Sequence, residues 1–155
     1  MSNYKIIDEP TPSSISRLAT NPMWPLLAVM LASPIFGWIW FVVNSIAIGS
    51  PTKLKEFLMA CVGVIFLSVF YIYLGSLNQS GDSGISEYID YIRLAGVIVS
   101  ISISYYLFVA QQQPFGLYEY FGGTTMNAIP ILIVGFLFGN KVQSFILTSI
   151  LQVIA

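Results

Sequence analysis

"MWPLLAVMLASPIFGWIWFVVNSIAI", residues 23–48, is the stretch on which the fold turns. It exceeds the roughly 20 mainly apolar residues that a helix needs to cross a hydrocarbon core of about 30 Å. Pro34 lies well inside it. A proline there removes one backbone hydrogen bond and kinks a helix, which membrane helices tolerate. The carbonyl it frees can become a binding element, as in broken transporter helices. The sequence therefore predicts one bent span. Trp38 and Trp40 lie deep in it, filling space between helices or facing lipid. Asn44 is its one strongly polar side chain, suited to hydrogen bonding between helices.

Three further segments read as spans, at about 56–77, 89–110 and 127–154. Backbone groups in lipid must be satisfied within the segment, so helices are expected. "VIVSISIS", residues 97–104, alternates with a strand-like period, but a lone strand in lipid leaves its edges unpaired. As a helix it places Ser100 and Ser104 on one face and Ser102 away from it. The connections read as a "GSPTK" turn at 49–53, a polar loop at 78–88, and "QQQPFGLYEYFGG" at 111–123 as an interfacial aromatic belt. The expected fold is an all-α integral membrane four-helix bundle, residues 23–155, preceded by a polar tail, residues 1–22.

Composition agrees. Of 155 residues, 56% are hydrophobic and 8% charged, against about 25% charged in soluble domains. The mean hydropathy is +0.80. A formal net charge of -1 gives no basic field for nucleic acid. The chain has no histidine and one cysteine, Cys61, so it lacks the commonest general base and any intrachain disulfide. No phosphate-binding glycine motif and no aspartyl pair within the spans appears. The expectation is a protein without catalytic residues, cofactor or metal. Counting basic residues on alternate sides of four spans sets Lys5, Arg17 and Arg93 against Lys53 and Lys55. That places both termini on the inner side.

The candidate functional residues cluster in "GFLFGNKVQSFIL", residues 135–147. Lys141 follows Asn140 inside an apolar run, and a charge at membrane depth is a functional-site hypothesis by default. Three fates suit it: snorkelling to water, facing a protein neighbour, or lining a transport path. The reading favoured is a continuous, bent helix with Lys141 facing protein. Gly135 and Gly139 form a G-x-x-x-G pair that lets helix backbones approach closely. The first span offers small surfaces to match: Ala28, Ala32, Ser33 and Gly37. Asp90 and Arg93, three apart at a helix start, suit a local ion pair.

Two stretches, residues 21–53 and 111–123, resemble small multi-pass bacterial membrane proteins of unassigned function. Shared features are a first span with Pro and Gly ending in Asn, a Gly-x-Pro turn, and a Phe-aromatic-Gly-Gly connection before the last span. The resemblance implies a bacterial inner membrane and four spans, and supplies neither catalytic residues nor a ligand. Size and span count are also similar to immunity proteins that protect bacteria from pore-forming toxins, without a matching motif. The expected function is helix–helix recognition in the bilayer, of another membrane protein or of a second copy, with Asn140 and Lys141 as polar specificity points. The alternative is a homo-oligomeric channel lined by Lys141, Ser100 and Ser104.

Overall fold

The computed structural model describes residues 15–79 and 83–154; most of the polar tail lies outside the described residues. A short 3-10 turn, Ser16–Leu18, precedes helices α1 (Met23–Leu31), α2 (Pro34–Ala47), α3 (Lys53–Gln79), α4 (Ser83–Tyr120) and α5 (Ile129–Ile154). The protein is all-helical over the described residues. α3, α4 and α5 are long and apolar enough to cross a membrane.

The decisive stretch is two helices, not one span. Ser33 ends α1 and starts α2: its backbone is extended, its hydroxyl accepts from Phe36 N, and Pro34 follows at the first helical position. A capping serine followed by proline is how a helix begins. The chain also reverses there. A Cβ at Gly37 would lie 2.8 Å from Val29 N and 3.0 Å from Pro25 O, so α2 packs back along α1. At the open ends of the legs, Thr20 N donates to Asn44 Oδ1 at 2.8 Å. α1 and α2 thus form a re-entrant hairpin that enters and leaves at one end of the bundle. At 1.5 Å per residue its legs are about 14 and 21 Å long, reaching mid-depth of a core about 30 Å thick.

The tip rests on α5. Ser33 Oγ donates to Gly139 O at 3.0 Å, and a Cβ at Gly139 would meet Ala32 Cβ at 3.0 Å. Gly135 lies against the Phe36 ring. The G-x-x-x-G seam is therefore occupied by the hairpin. Trp40 packs with Ala28 and Ala128, while Trp38 and Phe41 join Leu67, Ile103 and Leu107 in the main core. Gly63 of α3 faces the Trp38 ring, which lies 2.8 Å from where a Cβ on that glycine would be.

Two other expectations change. "QQQPFGLYEYFGG" is not a loop, because α4 runs unbroken through Pro114 to Tyr120. Of the aromatic residues expected to form a belt, Phe115 and Tyr118 are buried against Ala19, Ala47 and Ile48, while Tyr120 and Phe121 are exposed. With three long helices, the described chain also begins and ends at opposite ends of the bundle. Arg17, Lys53, Tyr120 and Ile129 share the near end, where Met126 N donates to Ala19 O at 2.8 Å. Gln79, Ser83 and the last turns of α5 share the far end.

Candidate functional site

Three places carry polar chemistry: a network at the near end, a cavity under the hairpin tip, and the outer face of α5.

The network is centred on Glu56, in the first turn of α3 and only 1% exposed. Gly49, at φ 68°, turns the chain out of α2, and Ser50 and Thr52 follow in the tight connection to α3. Their hydroxyls both donate to Glu56 Oε1, each at 2.6 Å. Gln111 Nε2 donates to Glu56 Oε2 and to Phe41 O, both at 2.7 Å. Gln111 Oε1 accepts from Asn44 Nδ2 at 2.9 Å, and Asn44 Oδ1 accepts from Thr20. Both amides and the carboxylate are thus matched, donor to acceptor, across four segments of chain. A buried polar network satisfied in this way fixes one arrangement of its helices. Here it clasps the open ends of the hairpin to α3 and α4. A groove of about 410 Å³ runs past it, lined by Thr52, Lys55, Glu56 and Tyr106.

Below the hairpin tip the bundle is hollow. A cavity of about 510 Å³ is bounded by Leu67 to Leu74 of α3, Arg93 to Ile101 of α4, Asn140 and Gln143 of α5, and the tip at Ala32–Pro34. α3 packs closely on both α4 and α5, whereas no Cα atom of α4 comes within 8 Å of one of α5 among the described residues. Gln143 Oε1 is shielded from solvent with no hydrogen-bond partner. Arg93 Nη1 lies 3.3 Å from Asp90 Oδ1, the pairing suggested by their spacing, with both side chains largely exposed.

Lys141 does not face protein. α5 is continuous through Gly139 and Asn140, and Lys141 is exposed on its outer side. Its Nζ lies 5.7 Å from the centre of the Phe138 ring. Asn140, one residue earlier, lines the cavity instead. Ser104 is fully buried: it accepts from Trp38 Nε1 at 2.9 Å and donates to Ser100 O at 2.7 Å. Ser100 lines the cavity, while Ser102 is exposed and bonds back to Ile98 O. Lys141 and the two buried serines therefore share no common surface. Gly37 lets the hairpin legs approach each other, Ala28 packs with Trp40 and Ala128, and Ala32 rests on Gly139 of α5 as the small-residue pattern suggests.

Asn44 was legible as a hydrogen-bonding residue; Glu56 and Gln111 were not. Glu56 reads as an ordinary acid at a helix start, and Gln111 hides in a run of three glutamines before a proline. The available signal was spacing: seven residues, two helical turns, separate Ser104 from Gln111, so both fall on the buried stripe of α4. No three His, Cys, Asp or Glu residues converge as a metal site among the described residues.

Over the described residues the chain is thus an all-helical membrane protein, with three helices long and apolar enough to cross a bilayer and a short helical hairpin packed among them. In comparisons with known proteins it matches no family model, no curated protein and no solved structure.

Proposed function

We propose that this is a non-enzymatic membrane interaction protein whose α5 recognises a partner helix carrying a carboxylate at matching depth. The observation that carries this reading is the exposure of Lys141. It lies about 18 Å from the start of the candidate span Ile129–Ile150 and about 14 Å from its end, at 1.5 Å per residue. A lysine stem of about 6 Å does not reach water from there. An unpaired ammonium facing lipid is costly, and a partner acid removes that cost. Among the described side chains a second copy supplies no such acid at that depth. Among the described side chains Glu56 is buried, Asp90 lies near the far end, and Glu119 lies at the near end. The partner is therefore a different chain.

The near end is cytoplasmic in this reading. Arg17, Lys53 and Lys55 lie there, against Arg93 at the far end, the bias that the positive-inside rule associates with the cytoplasm. The resemblance to bacterial chains makes the host membrane a bacterial inner membrane. The absence of histidine from the chain is consistent with a role in recognition rather than catalysis.

A photo-crosslinker placed at Phe145, on the exposed side of α5, tests this in native membranes. A discrete hetero-adduct is expected, lost in Lys141→Met and kept in Lys141→Arg. A homodimeric adduct alone, or a hetero-adduct indifferent to Lys141→Met, would overturn the assignment.

A further inference from the structure

We infer that the cavity under the hairpin tip is a binding slot for an anionic phospholipid, with one acyl chain inside and its phosphate on Arg93. This site is independent of Lys141 and of any partner.

Three observations converge. The first is the window. α4 and α5 make no close backbone approach among the described residues, and the cavity that both line lies where they stand apart. A re-entrant hairpin that fills only the near half of the membrane leaves this space below its tip. The second is the lining. Met30, Leu67, Phe70, Leu74, Val97 and Ile101 present apolar surface along its length. Water needs two to four polar partners per molecule to be held in a cavity, and a lining dominated by such side chains does not provide them throughout. An acyl chain does not need them. The third is the position of the charge. Arg93 lies five residues from Tyr88, where the candidate span of α4 begins. That is about 7.5 Å of helix rise, within reach of the headgroup layer for a long cationic side chain. Its single contact with Asp90 leaves most of its five N–H donors available. A planar guanidinium that lines an apolar slot suits a phosphate whose tail lies in that slot.

The polar groups deeper in the cavity do not argue for a polar solute. Ser100 donates to Gly96 O, and Ser33 to Gly139 O. Gln143 Nε2 reaches only as far as Tyr71 Oη, at 3.4 Å. Asn140 is the remaining polar side chain of α5 there, placed level with the tip at the cavity's upper end.

The test is lipid retention by the full chain. The protein is reconstituted in nanodiscs of equal phosphatidylglycerol and phosphatidylcholine, extracted in mild detergent, and examined by native mass spectrometry. One retained phosphatidylglycerol per chain is expected, favoured over phosphatidylcholine by about fivefold, the scale of one basic side chain at an anionic surface. Arg93→Gln should bring the two lipids to parity while a lipid is still retained. Val97→Trp, which fills the slot from an exposed position, should abolish retention of both, with Ile101→Phe as a second filler should that variant fold poorly. No retained lipid in the wild type would overturn the proposal. So would equal retention in the wild type and a folded filler variant, or capture of free fatty acid in place of phospholipid.

Discussion

The near and far halves of this molecule use polar residues in opposite ways. At the near end, Thr20, Asn44, Ser50, Glu56 and Gln111 are each at most 1% exposed and bonded to one another. In the far half, Arg93 and Asp90 are exposed, Gln143 Oε1 is buried without a partner, and a cavity separates the helices. The difference follows from the hairpin. Where its legs run between α3, α4 and α5 they supply both packing surface and hydrogen-bond partners. Past Ser33 no fourth element among the described residues supplies either. Rigidity therefore belongs to the near half and capacity for a ligand to the far half.

The sharpest way to break this contrast is at Gln111. Gln111→Leu strips one donor from Glu56, one from Phe41 O and one acceptor from Asn44, all buried. Losing hydrogen bonds to a charged group and leaving partners unsatisfied should cost about 3 kcal/mol. Thermal unfolding in detergent would show it, and a midpoint unchanged from wild type would mean the clasp does not hold the hairpin. Next comes Gly37→Ala. Its methyl would strike the Val29 side chain and approach backbone atoms of α1 that cannot swing aside. Overpacking on this scale costs about 2 kcal/mol, measurable in the same assay. Ser33→Ala removes a helix cap and the bond to Gly139 O together. About 1 kcal/mol is expected, with faster hydrogen exchange at the start of α2 as the local signature. In the far half the expectation reverses. Gln143→Met removes a buried oxygen that has no partner, so stability should stay within about 0.5 kcal/mol of wild type. A large loss there would show that Gln143 holds the fold and would erase the contrast.

Much of this architecture can be read from residue order, and the part that cannot has a definite cause. Hydropathy locates α3, α4 and α5 because each is a long apolar run whose direction never changes. It also registers residues 23–48 as a span, since an average over a window is blind to a reversal within it. The cue is present in "ASPIF", residues 32–36, where serine before proline marks a helix start as readily as proline marks a kink. What separates the two is a contact, Gly37 on Pro25 and Val29, and contacts between distant positions are not written in a local pattern. The same holds for the glutamines at 111–113. Exposed, they would end a span; one of them, matched by Asn44 and Glu56 from other helices, extends it. Lys141 was located by sequence as an anomaly, but the face it occupies depends on where Gly135 and Gly139 dock, and those glycines turn the lysine outwards by taking the hairpin on the opposite side.

The bond between Ser33 and Gly139 joins positions 106 apart in the chain. Synthesis proceeds from the N-terminus, so the hairpin is made well before the helix on which its tip rests. Until α5 enters the bilayer, the α2 end of the tip has its serine cap but not the seat formed by the glycine seam. The hairpin is thus made before α5 but fully seated only after it, and a chain truncated before residue 139 should present this hairpin to chaperones and proteases as an unfinished element.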